Sequence, residues 1–364
     1  CSIASFPLFL LTCTGFAMGG GMQGCPLNLQ GRVVTLAGSG FLGGDVEGRG
    51  SSAKFSGLGA WAANGSFAFG GDIGNKKIKK IDLRSADVAI IAGPAAGAVV
   101  SGDADGSSAV STFNDPQMTT LSGNALYVVD GTNNKIRRID LATGIVSTFA
   151  GPSSGTTTFG DTDGVGNAAR FFAPTGITTD GTNLYVVENG NCKIRRVSLA
   201  TQQVTTIVGP LPGSNGCSLD NDGIGNAARL FAPGAITTDG KNLFVSDNSK
   251  IRKVDLNTLQ VTTIAGPAPG SSGTGHVDAA GTAARFGSIL GLATDGFSLF
   301  VSESYYVRVL NPGTQVVNTL AGDGNLGLTD GVGPGAQFTT QLRLSASDGA
   351  HLILGDGNNV RLLE

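Results

Sequence analysis

Residues 163–208 read DGVGNAARFFAPTGITTDGTNLYVVENGNCKIRRVSLATQQVTTIV, and nearly the same string returns at residues 222–265 as DGIGNAARLFAPGAITTDGKNLFVSDNSKIRKVDLNTLQVTTIA. Weaker copies lie on both sides. An Ala-Gly or Val-Gly dipeptide ends each copy, and its glycine recurs every 55 to 58 residues at Gly38, Gly93, Gly151, Gly209, Gly266 and Gly322. Six copies of one unit indicate a repeat architecture.

Each copy contains four short runs of apolar or β-branched residues, which in the first string cover residues 176–179, 184–187, 193–199 and 204–208. A turn such as Asp180-Gly181 joins the first run to the second, because Asp opens a tight hairpin and Gly accepts a positive φ. Asn-rich joints follow the second run, and Thr-Gly turns or their equivalents follow the third. Four antiparallel strands per unit predict an all-β, six-bladed β-propeller with four-stranded blades.

The motifs F-x-x-P-x-G-I, D-G-x-N-L-Y-V, N-K-I-R-R-I-D, V-x-T-x-A-G and D-G-x-G-x-A-x-x-F resemble the NHL-repeat β-propeller family over residues 33–364. The resemblance implies a fold and leaves function open, because the family includes enzymes, nucleic-acid binders and protein-binding scaffolds.

The ends of the repeat region predict how the ring closes. The last copy supplies only three strands, at residues 342–346, 351–355 and 360–363, whereas residues 33–37 (VVTLA) begin the region without three strands before them. We therefore expect this N-terminal strand to complete the last blade, which removes free strand edges.

Composition argues against several functions. Charged residues make up 14% of the chain and the net charge is −3, which is too small and of the wrong sign to draw the protein to nucleic acid. The basic K-I-R-R-I runs recur in every well-formed copy, so interblade ion pairs are a simpler interpretation than an RNA-binding stripe. With only His276 and His351 available, we expect no zinc centre, no enzyme activity and no cofactor.

Pairs of acidic residues precede a glycine in three of the loops between blades. Alternating carboxylates at a tight turn are typical of a calcium loop, although the closing Glu of an EF-hand is absent. The alternative is that Asp caps the short turn G-x-G-N-A-A-R-F that follows. The residues concerned are Asp103, Asp105, Asp161, Asp163, Asp220 and Asp222.

Residues 1–32 form an extension of different character, which we treat as separate from the propeller at residues 33–364. Residues 1–31 contain no Asp, Glu, Lys or Arg. The apolar run near the start is short and interrupted by Pro7, so no transmembrane span is expected. An apolar tail needs a partner to cover it, and three are considered: its own propeller, a neighbouring copy, or a lipid layer. The assembly candidates are Cys1, Phe6, Phe9, Leu10, Cys13, Phe16 and Cys25.

The five cysteines indicate export to an oxidising compartment. Cys192 lies in a joint and Cys217 in the following interblade loop, and both segments emerge on the same face of an up-down meander, which predicts a disulfide between them. Three cysteines then remain in the extension. We expect an extracellular or cell-surface structural protein that self-assembles, in one version into a filament, with itself as partner. The alternative is a propeller binding module anchored by lipid at Cys1.

Overall fold

The computed structural model describes residues 26–213, 217–339 and 342–364. In these ranges nearly all regular structure is β. The strands are β1 (Arg32–Gly38), β2 (Gly48–Arg49), β3 (Ala62–Ala63), β4 (Phe67–Asp72), β5 (Lys77–Asp82), β6 (Asp87–Ala92), β7 (Pro116–Ser122), β8 (Ala125–Asp130), β9 (Lys135–Asp140), β10 (Val146–Ala150), β11 (Gly164–Val165), β12 (Pro174–Thr179), β13 (Asn183–Glu188), β14 (Lys193–Ser198), β15 (Gln203–Val208), β16 (Gly223–Ile224), β17 (Pro233–Thr238), β18 (Asn242–Asp247), β19 (Lys250–Asp255), β20 (Gln260–Ala265), β21 (Ile289–Thr294), β22 (Leu299–Glu303), β23 (Tyr306–Leu310), β24 (Val317–Ala321), β25 (Gly331–Val332), β26 (Leu342–Ser347), β27 (Leu352–Asp356) and β28 (Asn359–Leu363).

The strands form six antiparallel sheets, one for each sequence copy. Blades 1 to 6 are β3–β6, β7–β10, β12–β15, β17–β20, β21–β24 and β26–β28 with β1. Innermost strands of successive blades contact one another from β3 through β7, β12, β17, β21 and β26 back to β3. The predicted six-bladed propeller is confirmed. The hairpin turns at Asp180-Gly181 and Asp239-Gly240 also lie where the sequence predicts them.

Ring closure by the N-terminal strand is confirmed. Strand β1 pairs antiparallel with β28, with Val33 opposite Leu363 and Ala37 opposite Val360. Both Val33 and Ala37 are fully buried. The strand begins at Arg32, so the propeller starts one residue earlier than the sequence division at residue 33.

Four blades carry a fifth, outermost strand that the sequence pattern does not reveal. Strands β2, β11, β16 and β25 have two residues each and pair with the outer edge of their blades. In blade 3, Gly164 and Val165 lie opposite Val204 and Gln203. Two residues are too few for a period-two pattern, which explains why they were missed. The loop entering each of these blades therefore wraps around its outer edge.

The apolar core is divided into six clusters, one between each pair of neighbouring blades. Innermost strands approach closely at two glycines. A Cβ on Gly176 would lie 2.4 Å from the carbonyl oxygen of Gly234, and one on Gly291 would lie 2.2 Å from that of Leu344. A side chain at either position would force neighbouring blades apart, so glycine sets the width of the ring here.

The propeller has two faces, which we name by their connections. The hairpin face carries the turns between first and second strands, such as Asp180-Gly181, and the loop face carries the interblade loops. Residues 26–31 lie on the hairpin face: the Leu27 amide donates to Asp295 Oδ2 at 2.9 Å, and the Gln30 amide donates to the Glu364 carbonyl at 2.8 Å. Leu27 and Leu29 pack against the core between blades 5 and 6.

Residues 1–25 lie outside the described residues, and with them the assembly candidates Cys1, Phe6, Phe9, Leu10, Cys13, Phe16 and Cys25. Within the described ranges, no helix has the length and apolar character needed to cross a membrane.

Candidate functional site

A buried cluster of charges repeats in every blade, and blade 3 shows its form. Arg195 of β14 is fully buried and pairs with Glu188 of β13 at 2.5 Å and with Asp163 of the entering loop at 2.6 Å. Its guanidinium lies 5.3 Å from the centre of the Phe171 ring. Two residues earlier in the strand, Lys193 pairs with Asp161. The cluster fastens the entering loop to the middle of its blade.

The six aspartates proposed from sequence all belong to these clusters. Asp103 and Asp105 pair with Lys135 and Arg137, and the corresponding partners in blade 3 are given above. In blade 4, Asp220 and Asp222 pair with Lys250 and Arg252.

Three sequence interpretations of these residues need correction or reassessment. The ion pairs lie within one blade, so the interblade assignment is wrong. The assignment of Asp as the cap of the G-x-G-N-A-A-R-F turn is also wrong. Val165 and Ile224 occupy the N-cap positions of this turn in blades 3 and 4, and neither turn has a side-chain cap. Asp163 instead accepts a hydrogen bond from the Thr206 amide at 3.1 Å. The carboxylates are paired with Lys and Arg. Within the described ranges no group of three or more His, Cys, Asp or Glu is placed to hold a metal ion, and the calcium interpretation stays a prediction.

Burial and pairing shift the pKa values of the acids in the cluster in opposite directions. Burial raises the pKa of Glu188 above its ordinary value, against the opposing effect of the Arg195 cation. For an acid near the surface, hydrogen bonding and pairing outweigh burial. Although burial disfavours the charge of Asp330, hydrogen bonds from Thr35 and Arg361 hold the pKa of that carboxyl below its ordinary value. Because the cluster recurs in all six blades, it serves the scaffold and marks no single ligand site.

Blade 5 replaces one ion pair of the cluster by an aromatic stack. Tyr306 stands where blades 1 to 4 have lysine, and His276 stands where they have its aspartate partner. The two rings stack with centroids 3.5 Å apart, and His276 Nδ1 lies 3.0 Å from Glu303 Oε1. The other histidine, His351, contacts Asp348 in a hairpin turn. Both histidines thus contact carboxylates of the scaffold.

The disulfide predicted from sequence is present. The sulfurs of Cys192 and Cys217 are bonded, with Cα atoms 5.3 Å apart. Cys192 follows β13 and Cys217 lies in the loop entering blade 4, so the bond links blade 3 to that loop on the loop face.

A cavity of about 210 Å³ lies where the six blades meet. Each innermost strand starts at the loop face, and five lining residues occupy the second position of such a strand, which places the cavity toward that face. These five are Gln117, Thr175, Gly234, Leu290 and Arg343. The remaining lining is Ala60, Met118, Ala235, Ile289, Gly291 and Leu344.

Among the described lining residues, Arg343 is the only charged one, and it breaks the symmetry of the ring. Its guanidinium makes no hydrogen bond and no ion pair with any described residue. Burial lowers the pKa of Arg343, and the carboxylate of Asp115 acts in the opposite direction from beyond ion-pairing distance. Asp115 itself accepts a hydrogen bond from the Gln117 amide at 2.6 Å. The channel therefore contains a cation that has no partner among the described residues.

Sequence reasoning did not find Arg343, and one signal was available. The second position of the innermost strand is neutral in blades 2 to 5 and basic only in blade 6. Aligning the copies position by position isolates this residue as the exception, although the alignment cannot show that the position faces a cavity.

An exposed apolar surface on the loop face is the second unusual feature. The rings of Phe159 and Phe172 lie 4.8 Å apart, and 62% of Phe159 is exposed. Phe231 is exposed beside the disulfide, where its carbonyl oxygen lies 3.3 Å from Cys192 Sγ. We call Phe159, Phe172 and Phe231 the aromatic patch.

Six four-stranded blades around a channel define the class: the protein is a six-bladed β-propeller. Human NHL repeat-containing protein 2 is 31% identical over 258 residues, covering 62% of this chain and 35% of that relative. The Arabidopsis thaliana Protein SUPPRESSOR OF QUENCHING 1, chloroplastic, is 30% identical over 274 residues, covering 70% of this chain and 25% of the relative. With these repeats and this architecture, the chain belongs to the NHL-repeat β-propeller family.

The chain spans about a quarter to a third of the length of these curated relatives. No family model matches it. Among solved structures, a Bacteroides thetaiotaomicron structural genomics protein of unknown function superposes with a TM-score of 0.64 at 18% identity, covering 91% of this chain and 75% of that one. This likeness concerns the fold alone.

Proposed function

We propose that this chain is a non-enzymatic binding module of the cell exterior, which receives its ligand at the loop-face end of the central channel. The observation that carries the proposal is the cavity where all six blades meet, which is lined mostly by small and apolar residues, with Gln117, Thr175 and one cation that has no partner among the described residues. Concave, mostly apolar sites with few polar groups are where proteins bind small ligands. The Cys192–Cys217 disulfide supports an oxidising compartment.

The absence of an enzymatic role is part of this proposal. Both histidines contact scaffold carboxylates, and the buried acids of the blades are paired with Lys or Arg. Neither set provides a free acid or base beside the cavity, where Arg343 is the charged lining residue.

The test is a ligand-observed NMR screen with small aliphatic and aromatic fragments of neutral, cationic and anionic type. The variant Leu290→Trp fills the cavity, and Leu326→Trp, at a residue 61% exposed, is the matched control. We expect some fragments to bind the natural protein and the control and to lose binding to Leu290→Trp. If no fragment of any charge distinguishes the two variants, the proposal is wrong.

A second candidate function is self-association through the extension, locked by Cys1, Cys13 or Cys25. One observation favours it: residues 26–31 lie on the hairpin face, and the aromatic patch lies on the opposite loop face. When two complementary surfaces lie on opposite faces, copies associate head to tail, and such contacts build open stacks or filaments. If the extension is instead anchored in a lipid layer through Cys1, the protein is the binding module of the first candidate function.

Light scattering and non-reducing gels test this second candidate. We expect the full chain to associate, and both the deletion of residues 1–25 and the double variant Phe159→Ser with Phe172→Ser to prevent association. Phe297→Ser, at an exposed phenylalanine on the hairpin face, is the control. Cys13→Ser and Cys25→Ser should make any assembly dissociate in detergent without reductant. A full chain that stays monomeric at high concentration would exclude the role in assembly.

A further inference from the structure

We propose that Arg343 and the channel cavity form a binding site for the carboxylate group of a small apolar acid or of a chain terminus. This inference rests on the proposed function of the channel and names the chemistry of its ligand. Its starting point is that the guanidinium has no partner among the described residues, whereas every buried arginine of the repeated clusters has at least one carboxylate.

The charge environment of Arg343 calls for an anion from outside. Burial weakens the hydration of a cation, so Arg343, which is partly buried, gains from a counterion. The acid that acts on it, Asp115, is engaged by the Gln117 amide at 2.6 Å. An external carboxylate would restore the pairing that the buried arginines of the blades already have, and the planar guanidinium fork matches its two oxygens.

The rest of the lining limits the ligand to a single negative charge on an apolar body. Gln117 and Thr175 are the other polar side chains, and each already donates a hydrogen bond, Gln117 to Asp115 and Thr175 to the Gly234 carbonyl at 3.3 Å. A phosphate has more oxygens to satisfy than one guanidinium can serve. Met118, Ile289 and Leu344 instead offer apolar contact. The lining therefore fits a carboxylate better than a phosphate.

The size of the cavity restricts the ligand further. Pockets that enclose drug-sized ligands have volumes of about 300–1,000 Å³. The channel cavity, at about 210 Å³, is smaller. It suits a short branched acid, or the last side chain and free carboxylate of a peptide whose remainder lies outside on the loop face.

Calorimetric titration with 3-methylbutanoate tests the assignment, with its neutral amide and inorganic phosphate as matched probes. We expect the acid to bind, the amide and phosphate to bind at least tenfold more weakly, and Arg343→Gln to weaken binding of the acid at least tenfold. Arg343→Lys, which keeps the charge and loses the fork, should fall between. Arg196→Gln removes an exposed arginine of β14 and should leave binding unchanged.

A peptide ending in a free leucine and the same peptide with an amidated end distinguish the two sources of the carboxylate. Tighter binding of the free peptide than of 3-methylbutanoate identifies a chain terminus, and the reverse identifies a free acid; either result supports the site. Two results would overturn the proposed site. One is equal binding of the acid and its amide. The other is unchanged binding of the acid by Arg343→Gln when the urea midpoint of that variant matches that of the natural protein. If neutral fragments still bind the cavity in that case, the channel remains a ligand site and only its chemistry is wrong.

Discussion

The buried charge cluster of blade 3 allows a quantitative test of its role in stability. Glu188 is fully buried and accepts from Arg195 Nη1 at 2.5 Å, from the Phe172 amide at 3.0 Å and from the Asn191 side chain. Replacing it by alanine leaves a fully buried guanidinium with Asp163 as its nearest remaining acid. Removing one partner of a buried pair costs about 3–5 kcal/mol when the other charge is left without a counterion. Glu188→Ala should approach this range, because Asp163, the acid that remains, is partly exposed and cannot replace the fully buried Glu188.

Asp163→Ala provides the matched comparison at the other end of the same arginine. The Asp163 side chain is 34% exposed, so water can replace part of what it supplies to Arg195 and Thr206. We expect a cost of about 1–2 kcal/mol for this variant. Glu188→Gln, which keeps the volume and part of the hydrogen bonding, should lie between the two alanine variants.

Urea unfolding followed by circular dichroism measures these differences as shifts of the midpoint at constant slope. A loss of about 3–5 kcal/mol is a large share of the 5–15 kcal/mol typical of folded proteins, so Glu188→Ala should unfold at much lower urea. If Asp163→Ala costs as much as Glu188→Ala or more, burial does not govern the strength of the cluster and the reasoning fails.

Three further predictions concern closure, the disulfide and pH. Deleting residues 1–38 removes β1 and should abolish cooperative unfolding. Deleting residues 1–31 should lower the unfolding midpoint only slightly, because it removes just the packing of Leu27 and Leu29. If both truncated proteins melt alike, closure by β1 is contradicted. The paired change Cys192→Ser and Cys217→Ser should cost about 3 kcal/mol, since the bond closes a loop across a separation of 25 residues, and peptide mapping that finds both thiols free would exclude the bond. The pKa of Asp330 is lowered from 3.8 in the folded protein, so the stability it contributes is present above that value and is lost as pH falls through the folded pKa. The difference in unfolding free energy between the natural protein and Asp330→Asn should therefore be full near pH 7 and shrink below about pH 4, and a difference independent of pH would contradict the assignment.

Residue patterns within each copy determined the blades, the order of their strands and the closure of the ring. Alternation and turn residues act over a few positions, so they can be read without knowing what the strands pack against. The disulfide followed from the same reasoning, because an up-down meander places the joint at Cys192 and the loop at Cys217 on one face.

Tertiary structure alone decided the rest, because it depends on contacts between residues far apart in the chain. Asp163 and Arg195 are 32 residues apart, and only the wrapping of the entering loop around the outer edge shows that they pair within one blade. His276 and Tyr306 each depart from the repeat at separate positions of the sequence, and only the tertiary structure shows that their rings stack. Arg343 is the clearest case: the copies mark it as unusual, but only the convergence of six innermost strands places it in a cavity, where no residue in the described part of the chain pairs with it.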